Sequence, residues 1–170
     1  MSRQVLLRNG CIEINGKPEI LLCSSFFYFR IPSEYWRQRM RQLKMAGYNA
    51  IDVYFPWNYH ELRPGVWDFK GERDVAAFLR MAMEEELYVV ARPGPYICSE
   101  WDGGGIPIWV HQKTENVRQF DPVYLEMFTE WMKRILPIIH EYQQGKNGSV
   151  VLMQLENELD LFPCRHAHRY

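Results

Sequence analysis

With 170 residues, 47% of them hydrophobic and 24% charged, the chain has the size and balance of one globular domain, which excludes a disordered or fibrous protein. Its formal net charge of -1 comes from Lys and Arg scattered along the sequence, so there is no electrostatic footprint for nucleic acid or an anionic membrane, and a small neutral partner fits better. No apolar run approaches the roughly 18 residues needed to span a bilayer, and the opening Met1-Ser2-Arg3-Gln4 lacks the apolar core of a signal peptide, so a cytoplasmic location is expected.

The first stretch, residues 1–18, reads as a β-hairpin. Val5-Leu6-Leu7 leads to the turn signal Asn9-Gly10, and Cys11-Ile12-Glu13-Ile14 runs back to a second one, Asn15-Gly16. Beyond it, short runs of β-formers alternate with segments of helical periodicity. Ile20-Leu21-Leu22-Cys23 is the first run, and residues 33–46 then place Trp36, Met40 and Leu43 on one helical face. The second run, Ala50-Ile51-Asp52-Val53-Tyr54-Phe55, precedes a helix expected over residues 72–86 with Val75, Phe78, Leu79 and Ala82 in one stripe. Leu87-Tyr88-Val89-Val90-Ala91 is the third run. Its helix opens at Asp121-Pro122, a cap followed by a first-turn proline, and stripes Leu125, Phe128, Met132, Ile135 and Ile139, with a kink expected at Pro137. Ser149-Val150-Val151-Leu152-Met153-Gln154 is the fourth run.

Strands alternating with helices imply a parallel sheet, either doubly wound or closed as a (β/α)8 barrel, and periodicity alone does not choose between them. No glycine-rich fingerprint follows the first strand, and polar and aromatic residues gather after every strand rather than at one switch point, which favours the barrel. A complete barrel of about 250 residues has eight strands. The expected fold is therefore α/β, a TIM (β/α)8 barrel present in part: a hairpin over residues 1–18, about four βα units over residues 19–160, and an unassigned tail over residues 161–170. No linker or repeat divides it, and it reads as a single truncated domain.

Barrel enzymes carry their chemistry just past the carboxyl ends of the strands. Those segments are loaded here: Pro56-Trp57-Asn58-Tyr59-His60-Glu61, then Arg92-Pro93-Gly94-Pro95-Tyr96-Ile97-Cys98-Ser99-Glu100-Trp101, then Glu156-Asn157-Glu158. The loop after the third run far exceeds the usual 4–6 or so residues, which favours a functional loop, and its Gly103-Gly104-Gly105 suits a hinge or close backbone approach. Carboxylates, an amide and tryptophans at strand ends are what glycoside hydrolysis requires. One carboxylic acid protonates the leaving oxygen, a carboxylate attacks or activates water, and aromatic faces stack on the sugar. The six Trp, ten Tyr and nine Phe supply such faces, although most aromatics fill cores. Cys11, Cys23, Cys98 and Cys164 lack CxxC spacing, which argues against a zinc site and leaves buried free thiols as the expectation.

Tyr54-Phe55-Pro56-Trp57-Asn58-Tyr59-His60-Glu61, Arg92 through Trp101, and Gln154-Leu155-Glu156-Asn157-Glu158 together resemble glycoside hydrolase family 35, the β-galactosidases. Arg30-Ile31-Pro32, Tyr35-Trp36, Met45-Ala46-Gly47-Tyr48-Asn49-Ala50 and Asp121-Pro122 extend the match, in order and with matching spacers. The resemblance implies a retaining hydrolase of terminal β-galactosides without metal or organic cofactor. It makes Glu158 the catalytic acid/base and Asn157 its sugar-contacting neighbour, Tyr54 a galactose-holding tyrosine, and Cys98-Ser99-Glu100 a segment whose backbone and Glu side chain bind sugar hydroxyls. The family's nucleophile lies on a seventh strand, so the chain by itself is expected to be inactive.

On physical grounds Glu158 is preferred to Glu156 only because, if both extend along one strand face, the later residue lies nearer the barrel mouth; Glu156 then reads as a buried, paired residue. A general acid near neutral pH needs a raised pKa, which a neighbouring carboxylate and partial burial produce. His60 reads as a hydrogen-bonded structural residue or as an orienter of Glu61, and Glu61 as either a mouth or an anchoring group. One at most of Trp57, Trp101 and Trp109 is expected to touch ligand. His166 and His168 are too sparse for a metal site, and Glu84-Glu85-Glu86 reads as a solvated helix end. Phe26-Phe27-Tyr28 replaces the family's Ile-His-Tyr, Ser99 stands where Ala is commoner, and Leu159-Asp160 where Tyr-Gly follows the catalytic pair, which bears on substrate preference. The alternatives are a non-catalytic, sugar-binding half-barrel that self-associates through uncovered edges, and a barrel glycosidase of other sugar specificity.

Overall fold

A computed structural model gives the fold of residues 4–8 and 10–159. Asn9, Asp160, Cys164, His166, His168 and the unassigned tail lie outside those residues. The chain opens with β1 (Val5–Arg8), β2 (Cys11–Ile14) and β3 (Lys17–Glu19) in one antiparallel sheet, so the expected hairpin carries a third strand. Asn15 and Gly16 both have positive φ, the geometry of a tight two-residue hairpin turn that folds Lys17 back onto Ile14. Lys17-Pro18-Glu19 has no apolar alternation to announce it. It is an edge strand, where a proline that cannot donate is tolerated.

The main sheet is built from β4 (Cys23–Phe26), followed by α1 (Trp36–Met45), β5 (Ala50–Tyr54), α2 (Trp57–His60), the small hairpin β6 (Glu61–Arg63) and β7 (Val66–Trp67), α3 (Val75–Glu84), β8 (Tyr88–Gly94), α4 (Ile108–His111), α5 (Pro122–Glu141) and β9 (Val150–Leu155). Its four strands are parallel in the order β4-β5-β8-β9, the order of the sequence. A doubly wound sheet reverses strand order at a switch point, and this one never reverses. The architecture is a partial (β/α)8 barrel.

Alternation along the strands divides the residues between two environments. Phe26, Ile51, Val53, Phe55, Val89 and Ala91 face the helices and are buried with Trp36, Met40, Val75, Phe78, Leu79, Ala82, Trp131, Ile135 and Ile139. Ser25, Asp52, Tyr54 and Arg92 alternate onto the opposite, inner face, where Ser25 is exposed and the other three are half-buried. The expected helical stripes are thus the buried faces, although Leu43, Leu125 and Phe128 are only partly covered. Capping sets where the helices begin. Asp74 accepts from the Ala77 amide at 2.8 Å and starts α3 at Val75, three residues later than periodicity suggested, after a single 3-10 turn at residues 71–73. Asp121 accepts from the Tyr124 amide at 2.9 Å ahead of Pro122. Helix α5 continues through Pro137 to Glu141.

Four expectations need correction. The first barrel strand is Cys23–Phe26 rather than Ile20-Leu21-Leu22-Cys23, and Ile20 and Leu22 are exposed. The Asn49 side chain holds that lead-in, accepting from the Leu22 amide at 2.8 Å and donating to the Ile20 carbonyl at 2.9 Å, and strand pairing starts only at Cys23 opposite Ala50. Two serines hid the strand from a hydropathy reading. Cys23 is exposed and Cys11 and Cys98 are half-buried; all three are free, but none is a buried thiol. At the end of α3, Glu84 and Glu86 are solvated as expected but Glu85 is not, and all three are paired: Arg37 bonds Glu84 and Glu85, Arg41 bonds Glu85 at 3.0 Å, and Lys44 bonds Glu86 at 3.1 Å. Glu156 and Glu158 do not extend along a strand face, because β9 ends at Leu155 and both residues have positive φ. Among the described residues, no helix is long and apolar enough to cross a membrane.

Phe78 is the hub of the helix-facing core, with ring centroids 5.2 Å from Phe26, 5.3 Å from Tyr28 and 5.2 Å from Trp36. Phe78→Ala is expected to cost about 3–5 kcal/mol. A free energy of unfolding, measured in urea, lowered by less than a quarter of that would show that this cluster is not the core of the folded chain.

Candidate active site

The inner face of a buried parallel strand is a poor place for a charge unless it is paired, and two adjacent strands each carry one. Arg92 of β8 meets Asp52 of β5 at 3.0 Å, with both side chains largely shielded. The same guanidinium donates to the Tyr54 hydroxyl oxygen at 2.6 Å and to the Asn157 side-chain carbonyl, and it sits 4.3 Å from the centre of the Tyr54 ring. Tyr54 and Asn157, placed far apart in sequence, are thereby brought to one point at the carboxyl ends of the strands. Burial raises the Tyr54 hydroxyl pKa, Asp52 adds to the rise, and Arg92 opposes it. The Phe27 ring stacks on Tyr54 with centroids 5.4 Å apart.

The segment that follows β9 is held from a second direction. Arg118, on the long loop after β8, meets the Glu156 carboxylate at 2.5 Å and donates to the Asn157 backbone carbonyl at 2.6 Å, with the Tyr96 ring 3.9 Å from its guanidinium carbon. The Asn157 amide donates to Glu156 at 3.0 Å, and the Glu156 amide donates to the Gly94 carbonyl at 2.8 Å. Glu156 is thus paired as expected, though half-buried rather than buried. Asn157 is buried, while Glu158 is exposed at the rim with its backbone in the left-handed region.

Cys98, Ser99 and Glu100 are all left-handed, with φ of 56, 56 and 46°. Each such non-glycine residue costs about 1–2 kcal/mol, so the surrounding contacts must compensate. Arg30 donates from one nitrogen to the Ser99 carbonyl at 2.8 Å and the Glu100 carbonyl at 2.7 Å, and the Trp101 amide donates to the Cys98 carbonyl at 3.0 Å. Ser99 is buried and Glu100 exposed. The glycines of this loop serve close approach. A Cβ on Gly104 would lie 2.0 Å from the Tyr96 ring, and one on Gly105 2.8 Å from Ile97.

The remaining candidates are structural. Trp57 is fully buried, and its indole donates to Glu61 at 2.6 Å; Glu61 also accepts from the Gly65 amide at 2.6 Å and so anchors the β6–β7 turn. Burial raises the Glu61 pKa against those two hydrogen bonds. Trp101 is half-buried against Phe29, 4.6 Å away, and donates to Asn58, while Trp109 packs on Trp57. Among the described residues, no group of three His, Cys, Asp or Glu side chains is placed to hold a metal ion.

Sequence reasoning gave no individual role to Arg30 or Arg92, although both lay in segments it singled out, nor to Asp52 or Arg118. A carboxylate inside Ala50-Ile51-Asp52-Val53 and a cation ending Val89-Val90-Ala91-Arg92 were the available signals, since each interrupts an apolar run that must be buried. Arg118 had none, because its partners come from a distant loop.

A sequence profile of Glycosyl hydrolases family 35 matches residues 11–170. The chain is 45% identical to a β-galactosidase of Mus musculus over 156 residues and 43% identical to one of Homo sapiens over 152, covering 91% and 88% of this chain but only 24% and 22% of those proteins. It thus spans about a quarter of the length of the curated relatives it matches. Among solved structures, an exo-β-1,4-mannosidase from Opitutaceae bacterium strain TAV5 superposes with a TM-score of 0.65 at 20% identity, covering 86% of this chain and 26% of that one. A β-galactosidase from the psychrophilic Marinomonas ef1 superposes at 0.58 with 17% identity, covering 86% of this chain and 22% of that one. At such identities these two establish the fold.

His60 yields a pH dependence. Its Nδ1 lies 2.9 Å from the Asp68 carbonyl, which can only accept, so Nδ1 carries the proton and Nε2 accepts from the Tyr28 hydroxyl at 2.5 Å. Burial lowers its pKa from 6.5 to about 4. The stability this neutral ring contributes is full above pH 6.5 and is lost as pH falls towards 4, because the unfolded chain takes up a proton that the folded chain refuses. Urea unfolding near pH 7.5 and near pH 5 should show wild type losing about 2 kcal/mol more than His60→Gln over that interval. Equal losses would show that His60 is not buried in its neutral form.

Proposed function

The chain belongs to glycosyl hydrolases family 35, and from that premise we propose that it carries the amino-terminal half of the catalytic barrel of an enzyme hydrolysing terminal non-reducing β-D-galactose residues. Within it, a three-stranded antiparallel sheet reaching Glu19 precedes the βα units. The observation that carries the reading is the convergence of Tyr54 and Asn157 on Arg92 at the strand ends, with Glu158 immediately beyond.

In this mechanism Glu158 donates its proton to the glycosidic oxygen as the bond to the anomeric carbon breaks, and the aglycone leaves as an alcohol. A second carboxylate attacks that carbon, giving a covalent galactosyl-enzyme. Glu158, now a carboxylate, takes a proton from water, and the resulting oxygen displaces the enzyme carboxylate to release galactose with retained configuration. Asn157 and Tyr54 hold the sugar, and Cys98-Ser99-Glu100 binds its hydroxyls. In retaining enzymes the two carboxyl groups stand about 5–5.5 Å apart. The second belongs to a seventh strand in the resemblance, and the described sheet has four strands, so the isolated chain is proposed to be inactive. The chemistry requires no metal or organic cofactor.

Two observations support variants of this reading. Phe27, stacked on Tyr54 where the family has His, supplies an apolar ring and favours an altered sugar or aglycone preference. Among the described residues the outer edge of β4 is unpaired and that of β9 is bridged only at Val150, by Gln143, and Leu22, Met153 and Leu155 are exposed there, which favours association of isolated chains.

The test replaces the matching segment of the Mus musculus β-galactosidase with this chain. The chimera should hydrolyse a chromogenic β-galactoside, and Glu158→Gln within it should slow turnover by about 10²–10⁴-fold. A folded chimera that is inactive, or one indifferent to the substitution, would overturn the assignment. The chain alone should show no turnover.

A further inference from the structure

We infer that Arg30 is a positioning residue that fixes how the Cys98-Ser99-Glu100 segment presents itself to a sugar, and so a determinant of sugar specificity; this rests on the reading of that segment as part of the galactose site. Arg30 follows the first barrel strand, and its guanidinium lies 4.8 Å from the Phe27 ring centre, 5.5 Å from Phe29 and 5.6 Å from Trp101. From that aromatic cradle it reaches the segment across about seventy positions of sequence and takes two consecutive carbonyls, Ser99 and Glu100. The third carbonyl, of Cys98, accepts from the Trp101 amide.

The three amides behave differently. Among the described residues, the N–H groups of Cys98, Ser99 and Glu100 have no hydrogen-bond partner, although Ser99 is buried. In a trans peptide the N–H points opposite to the preceding C=O. By holding the Ser99 carbonyl, Arg30 therefore turns the Glu100 amide away from itself, and by holding the Glu100 carbonyl it fixes where the Glu100 side chain departs. The segment offers hydrogen-bond donors and a carboxylate together, a combination suited to sugar hydroxyls, which both donate and accept. Non-glycine residues do not stay left-handed unless their surroundings impose it. The two bonds from Arg30 are charge-assisted, the stronger kind, and the same cation packs beside Phe27, which stacks on Tyr54. One side chain thus sets the relation between the ends of the first, second and third barrel strands.

The test uses the isotopically labelled chain. Three-bond amide-to-α-proton couplings and backbone carbon shifts at residues 98–100 report the sign of φ, and hydrogen exchange at Val89 to Ala91 reports whether the sheet is intact. Arg30→Met should release Ser99 and Glu100 to negative φ with the sheet unchanged. Adding Ser99→Gly should restore positive φ at position 99, because glycine adopts it without strain. If Arg30→Met unfolds the sheet, Arg30→Gln, whose neutral amide makes weaker bonds to the two carbonyls, is read in its place. Positive φ retained at residues 99 and 100 in the folded variant, or no recovery with glycine, overturns the inference. D-galactose and D-glucose titrations separate the two claims. The variant is expected to bind galactose at least about tenfold more weakly and to lose preference over glucose. If the wild-type chain binds neither sugar while Arg30→Met still releases the segment, the positioning role stands and the sugar-site reading falls.

Discussion

A cation on the inner wall of a parallel sheet must be satisfied by its neighbours or not be there at all, and Arg92 organises the inner face on that condition. Its carboxylate partner is on β5, two residues before Tyr54, and its amide partner follows β9. An unpaired charge in that position would be far more costly than the pair is favourable. The requirement therefore acts as a geometric constraint: the strand ends cannot shift relative to one another without breaking a bond to Arg92. One oxygen of Asp52 is buried without a hydrogen-bond partner, so satisfaction on this face is incomplete among the described residues.

Around that fixed point, the backbone segments presented at the rim are strained, and each is held by another arginine. Arg30 holds Cys98-Ser99-Glu100 by its carbonyls. Arg118 holds the Glu156 side chain and the Asn157 carbonyl, between two residues of positive φ. Strain of this kind persists only where the surroundings over-determine it, and it gathers where a ligand must be met in one geometry. The helix-facing side shows the contrasting logic. There close-packed aromatics, from Phe26 to Trp131, fill the core, and one of them, Phe29, also lies beside Arg30.

The hydropathy pattern was a reliable guide wherever burial on one face set the residue type. Trp36 and Met40, Val75 to Ala82, and Met132 to Ile139 face the core as their spacing indicates. It failed where something other than hydropathy placed the backbone. The first barrel strand was displaced because the Asn49 side chain takes the Ile20 carbonyl and the Leu22 amide, so that strand pairing begins at Cys23 and runs through the serines. The third hairpin strand and the β6–β7 hairpin escaped notice because edge and two-residue strands bury too little to leave a pattern.

The sequence by itself determined the barrel class, the helix faces, the family and the segments that bear the candidate chemistry, because motif order and apolar periodicity are local properties of the chain. The sheet order, the left-handed residues 98–100, 156 and 158, and the three arginine clamps were decided only by tertiary structure. Arg30, Arg92 and Arg118 find their partners across long stretches of sequence. A charge's partner is chosen by whatever packing brings within hydrogen-bond distance, and no spacing along the chain records that distance.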